Sequence, residues 1–273
     1  SGTPLREAVT QRVRTAPPGG AVHGIRGGMN ALVELVVTSA RAASGAFELS
    51  CGEPVTGLER DGVRWRVTTT ERTLTAPIVV LALPVDAAAR LLGAASVPQT
   101  TRIEVITLVL DAPGLGGDEP RGTGVLVGAD VPGVAAKALT HSTAKWAWLR
   151  EAAEGRDYVR LSYGRRGQAP ASAGLDESDL RRLVTADAAA LLGRPVPEPI
   201  EVRRTGWAIL PPGTPGVAAT RDWLTQQRSV GLGLVGAGVA GVGLAAVVPQ
   251  ARAEVARLIE EQADESALTR ENA

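Results

Sequence analysis

LVGAGVAGVGLA, residues 234–245, holds a literal G-x-G-x-x-G at Gly236, Gly238 and Gly241, set between a strand-like run at 229–235 and an apolar helical segment. A dinucleotide fold needs that strand and that helix, and within roughly thirty residues a second parallel strand ending in an acidic side chain for the ribose. About thirty residues follow Gly241, and all of them read as helix and tail. A complete βαβ unit is therefore not expected, which sets aside a nicotinamide dehydrogenase. Two readings stay open. One is a strand-to-helix turn whose glycines permit tight packing. The other is a cofactor contact made by a helix amino terminus, whose free N–H groups and positive dipole end favour an anion or a carbonyl oxygen.

Outward from this stretch, 29 Lys+Arg balance 29 Asp+Glu over 273 residues, so no basic field marks a nucleic-acid binder. Cys51 is the sole cysteine and His23 and His141 are the sole histidines, which argues against an internal disulfide and against a multi-Cys or His-based metal site. Neither a transmembrane run nor a signal peptide is read, so a soluble, cytoplasmic protein is expected. The Ser1-Gly2 start and Met29 as the lone methionine are read as marks of a truncated or processed product.

Near the start LREAVTQRV is read as a helix ended by Pro17-Pro18-Gly19-Gly20. In MNALVELVVTSARA, the residues Met29, Leu32, Val33, Val36 and Val37 recur at a spacing near 3.6 and predict a helix with one buried face. The period then shortens: FELSC, TGLERDGVRWRVTTT and ERTLTAPIVVLALP read as strands, with Asp61-Gly62 as a hairpin turn. IVVLALP, 78–84, predicts a central strand buried on both faces. Strands over 103–109, 124–127, 136–140 and 158–163 predict a second sheet, and EVRRTGWAI adds one more strand. Asp176, Glu177 and Asp179 read as the cap of a helix carrying Leu180, Leu183, Val184, Ala188, Leu191 and Leu192, closed by Gly193. A terminal helix is expected to run to about Glu261 and to end in a frayed ESALTREN tail. His141-Ser142 has no carboxylate placed beside it by the sequence and reads as a strand-end pair, not a nucleophile and base.

Read in order, HGIRGGMNALVELV, VTGLERDGVRWRV, APIVVLALPVDAAARLL, GTGVLVG, KALTHSTAKWAWL, VRLSYGRRG and GLGLVGAGVAGVGLA resemble segments of the protoporphyrinogen/coproporphyrinogen oxidase family, within the FAD-dependent amine oxidase superfamily. The specific part is the combination of KA-T-S-KW, R-S-GR and a terminal GVGL in this order, and the resemblance reaches from His23 to Leu258. It implies an α/β fold of mixed α+β character: the carboxyl-terminal half of an FAD-binding Rossmann-like domain, interrupted by a mixed-sheet substrate-binding domain. The implied division is 1–28 as a remnant of the substrate or membrane side, 29–94 as the middle FAD-binding segment, 95–206 as the substrate-binding domain, and 207–273 as the closing strand and terminal helix. The family's own pyrophosphate fingerprint belongs to an amino-terminal half that this sequence does not contain.

By the same resemblance the cofactor is FAD. Val55 matches the position whose backbone meets the adenine end, and Val242, Gly243 and Leu244 match those beside the flavin ring and ribityl chain. Trp207 matches a tryptophan near the flavin, although RRTGWAILPPG shifts it by one place and lacks the family's Gln-Tyr. Ala245 and Ala246 stand where the family tends to have proline and an acid, and Pro249 falls in the first turns of the helix. The implied reaction, in heme biosynthesis, is oxygen-dependent oxidation of coproporphyrinogen III or protoporphyrinogen IX to the porphyrin, with hydrogen peroxide as the second product. The flavin carries that chemistry, so no catalytic side chain is assigned. Arg160 and Lys137 are the expected cations for the substrate's propionates, while Lys145-Trp146 is read as packing. Peripheral membrane contact and homodimerisation of a longer protein stay open. So do two alternatives: a flavin-dependent amine oxidase relative, and a non-catalytic fragment or paralogue that needs a partner chain to bind FAD.

Overall fold

A computed structural model describes residues 24–115, 122–210 and 213–271. The expected LREAVTQRV helix, its Pro17-Pro18-Gly19-Gly20 stop and His23 lie outside them. In chain order the elements are α1 (Asn30–Ala43), β1 (Val55–Asp61), β2 (Arg64–Thr69), β3 (Thr73–Ala76), β4 (Val79–Leu81), α2 (Val85–Leu91), β5 (Thr101–Leu110), β6 (Gly124–Leu126), β7 (Ala138–His141), α3 (Ser142–Lys145), α4 (Ala147–Ala152), β8 (Asp157–Tyr163), α5 (Glu177–Leu192), β9 (Glu201–Ile209), α6 (Val217–Gln226), β10 (Leu232–Leu234), α7 (Ala237–Ala240) and α8 (Leu244–Glu271). The fold is mixed α/β. Two compact units divide it: residues up to Glu48 with Thr101–Ala208, and Leu49–Thr100 with Ile209 onward. α1, placed by the sequence reading with the middle FAD-binding segment, groups with the first of these.

In that first unit five strands lie in the order β6-β7-β8-β5-β9. Alternation along β5 and β8 sends Ile106, Leu108 and Leu110, with Val159, Leu161 and Tyr163, to one face, where the registers Ile106↔Leu161 and Leu108↔Val159 pair them. α5 covers that face with Leu180, Val184, Ala188, Leu191 and Leu192. Each such leucine or valine, fully buried, contributes about 1.5–3 kcal/mol. The ends of α5 are as the sequence predicts: the Asp176 carboxylate accepts from Asp179 N at 2.8 Å, and Gly193 closes the helix at φ +69°. Asp187 is the one charged group on its buried face. Its carboxylate accepts from Ala135 N (3.1 Å), Ala136 N (2.8 Å) and Tyr163 OH (3.0 Å). Burial, then the adjacent Asp187 charge, push the Tyr163 phenol upward, so it stays a donor.

In the second unit β1, β2 and β3 form an antiparallel meander, and β4 pairs in parallel with β10. Trp65, Leu81, Val85, Ala88, Leu224, Leu232 and Leu234 make its core. The hairpin turn sits one residue later than expected: Asp61 pairs with Arg64, and the loop is Gly62-Val63 with Gly62 at φ +60°, as a type II′ turn requires. FELSC is irregular rather than a strand. It leads instead into a polar knot, where Glu53 accepts from Ser50 Oγ (2.6 Å), Thr69 Oγ1 (2.7 Å) and Arg72 Nε (3.0 Å).

Those bonds, from Ser50 first and then Thr69 and Arg72, hold the Glu53 carboxyl down from 4.5 to about 2. A carboxylate whose pKa is lower in the folded state adds stability above its unfolded pKa and loses it as pH falls toward the folded one. The Tm gap between wild type and Glu53→Gln is accordingly expected to be widest near neutral pH and to close toward about pH 2 in thermal melts taken along a pH series.

Three further expectations are corrected. IVVLALP is a strand only over Val79–Leu81, with β10 as its ladder partner and Val80 37% exposed, because one neighbouring strand cannot cover both faces. α1 forms, but none of its residues is buried, and Val33, Leu35 and Val36 are 58–63% exposed: periodicity makes an apolar stripe without supplying what covers it. α8 continues through Pro249 and past Glu261 to Glu271.

Candidate functional site

The glycine stretch folds as two bends rather than one loop. The chain leaves β10 at Leu234 and turns at Gly236, whose φ +99° and ψ −174° are open to glycine alone. One helical turn, α7, follows. Gly241 ends it at φ +89°, and Gly243, at φ +98°, leads into α8. The feature is thus a strand, a single turn and a long helix, and its ladder partner β4 precedes it in sequence. A side chain built at Gly243 would meet none of the described residues within 4 Å, and Val242 and Leu244 beside it are 87% and 53% exposed. The first N–H groups of α8 have no intrahelical acceptor and carry the positive dipole end. The bend can therefore receive a planar group bearing carbonyl oxygens or negative charge.

Two α8 side chains hold this bend, and sequence reading did not single them out. Gln250 donates from Nε2 to Leu234 O (2.9 Å) and accepts at Oε1 from Gly236 N (3.3 Å). Glu254, fully buried, accepts from Leu234 N (3.2 Å) and pairs with Arg228 and Arg257. Polar residues four apart on a helix share a face, which is the signal that could have found them. Val55 belongs to the same unit; it opens β1 opposite Thr69, at a register shift, and is 45% exposed.

The other expected residues lie in the first unit. Trp207 is on the edge strand β9, 43% exposed. Arg160 stands mid-sheet on the face away from α5, with Thr107 and Thr140 as its cross-strand neighbours and Tyr158 on the same face of its own strand. A cavity of about 470 Å³ opens there. Arg160, Tyr158, Trp146, Trp148 and Lys145 line it, with the hydroxyls of Thr107, Thr140 and Ser142. No Asp or Glu is among the described lining residues. The Lys145 ammonium lies 5.2 Å from the Trp146 ring centroid, so the pair packs as expected and also walls the cavity. Gly24 permits this: a Cβ there would stand 2.9 Å from the Trp146 ring. Lys137 does not line the cavity; burial, then the nearby Arg165, lower its pKa. Arg160 and Lys137 are therefore not brought together at this cavity.

His141 does have a carboxylate, contrary to the sequence reading: Asp157 lies 2.8 Å from its Nε2, sixteen residues away on the neighbouring strand. Thr143, rather than Ser142, completes the cluster by donating to the same Asp157 oxygen. All three are buried, and the set ties β7 and α3 to β8. Among the described residues no group of three or more His, Cys, Asp or Glu could hold a metal ion, and no helix is long and apolar enough to cross a membrane.

Comparison with known proteins gives the family. Residues 6–251 match the family described as flavin containing amine oxidoreductase. Among solved structures, a candidate protoporphyrinogen oxidase from Exiguobacterium sp. 255-15 superposes with a TM-score of 0.67 at 22% identity, over 94% of this chain and 55% of that one. A putrescine oxidase bound to putrescine gives 0.58 at 16%, over 86% and 53%. Cyclohexylamine oxidase from Brevibacterium oxydans IH-35A gives 0.51 at 15%, over 77% and 48%. These are likenesses of fold, and the chain spans about half the length of the proteins it matches. No curated protein matches significantly. With the family match covering most of the chain, the chain belongs to the flavin containing amine oxidoreductases and its cofactor is FAD.

Proposed function

We infer that this chain is the carboxyl-terminal portion of an oxygen-dependent porphyrinogen oxidase, acting on coproporphyrinogen III or protoporphyrinogen IX. The observation that carries this reading is the cavity on the open face of the five-stranded sheet, with indole and phenol walls, two cations and no acid among its described lining residues. An amine substrate is a cation and would meet Arg160 and Lys145 as like charges; a porphyrinogen brings a broad apolar body and carboxylates. When bound, FAD supplies the two-electron acceptor that oxygen restores. The protein's own part is to bind and orient. Val242, Gly243 and Leu244 would present the α8 amino terminus to the flavin, where a positive dipole end stabilises developing negative charge. Val55 would meet the adenine end.

The test is turnover by the FAD-loaded protein, expressed from its full reading frame, with both porphyrinogens, putrescine and cyclohexylamine as substrates. Porphyrin fluorescence and hydrogen peroxide are expected to rise together with a porphyrinogen alone. Peroxide from an amine, with no porphyrin formed from either porphyrinogen, sinks the reading.

A further inference from the structure

We propose that Arg160 and Lys145 form a two-point clamp for a carboxylate of the substrate, an assignment that rests on the porphyrinogen reading and replaces Lys137 with Lys145. Arg160 is exposed at the centre of the sheet face, flanked across both neighbouring strands by Thr107 and Thr140. Lys145 ends the short helix α3, directly after β7, and its ammonium is carried on the Trp146 ring at 5.2 Å. Both line the same cavity, and among the described residues neither is held in an ion pair. Glu151, on the following helix, is engaged by Arg26 at 2.8 Å. Elsewhere in this unit arginines find acids: Arg102 with Glu104, Arg181 with Glu177, Arg203 with Glu201. Two cations left together in a cavity with hydroxyl neighbours and aromatic walls are arranged for an anionic group on a flat apolar ligand. A guanidinium supplies a planar fork, and a lysine stacked on an indole supplies a point charge. Trp146 and Trp148 line the same cavity and offer apolar surface to the ligand's body.

The measurement is a titration of the 273-residue chain with coproporphyrin III, read by quenching of tryptophan fluorescence, with no flavin or turnover needed. Arg160→Gln and Lys145→Gln are each expected to weaken binding about tenfold. Lys145→Arg is expected to retain it, Lys137→Gln to leave it unchanged, and added salt to weaken it. Equal affinity in wild type and both glutamine variants overturns the clamp, as does an absence of binding by wild type. The two readings can fail separately. Porphyrinogen oxidation with KM unaltered in Arg160→Gln and Lys145→Gln overturns the clamp and keeps the oxidase. Binding of coproporphyrin through both cations, in a protein that oxidises no porphyrinogen, supports the clamp and removes the oxidase.

Discussion

Asp187→Ala is expected to lower the stability of the five-stranded unit by about 3–5 kcal/mol, a fall in Tm of about 10 °C. The carboxylate is buried and satisfies two backbone N–H groups, at Ala135 and Ala136, together with the Tyr163 hydroxyl. Alanine removes the acceptor and leaves two buried donors, Ala136 N–H and the Tyr163 hydroxyl, without one, each costing about 1–3 kcal/mol; it also frees the part-buried Ala135 N–H and opens space beneath α5. Tyr163→Phe removes one donor and leaves the carboxylate its two N–H bonds, so it should cost about 1 kcal/mol. Denaturant melts of the three proteins decide the matter. A loss below about 1 kcal/mol in Asp187→Ala would show that water replaces the missing bonds and that the carboxylate is not the clasp between α5 and the sheet.

Gly243→Val is expected to weaken FAD binding at least about tenfold, beyond what its effect on stability explains. At φ +98° a β-branched residue is strained, at a cost of about 1–3 kcal/mol. No described residue lies within 4 Å of a Cβ at this position, so the added side chain projects into the space proposed for the flavin. Gly93→Ala is the control. It lies in the same unit at φ +76°, also with nothing within 4 Å, and should cost stability while leaving FAD affinity within about threefold of wild type. Flavin fluorescence quenching during titration of each protein with FAD gives both affinities. Equal losses in the two variants would mean that general strain, not the α8 amino terminus, governs flavin retention.

Local chemistry made much of the fold legible. The Asp176 cap and the Gly193 stop of α5 follow from side chains that satisfy, or let the backbone satisfy, the groups a helix end leaves open. The alternation of Val159, Leu161 and Tyr163 against Tyr158, Arg160 and Ser162 follows from the period of two that a pleated strand imposes. The glycines at 236, 241 and 243 announce a chain that must take positive φ, although not that it would do so in two bends around a single turn.

Pairings distant in sequence were another matter. Nothing near Val79–Leu81 says that its ladder partner is Leu232–Leu234, nor that Gln250 and Glu254 would hold that second strand's end. Asp157 reaches His141 only because β7 and β8 pair in one register. The same registers set Arg160 between Thr107 and Thr140, with the α3 that follows β7 carrying Lys145 to the same cavity. By itself the sequence determined the cap and stop of α5, the alternation along β8, the apolar stripe of α1, and that a glycine bend opens the last helix. Which faces are covered, which acid meets which base, and which of two lysines joins Arg160 were decided by the tertiary structure. Strand register and helix packing set those distances, and a single sequence carries no local record of either.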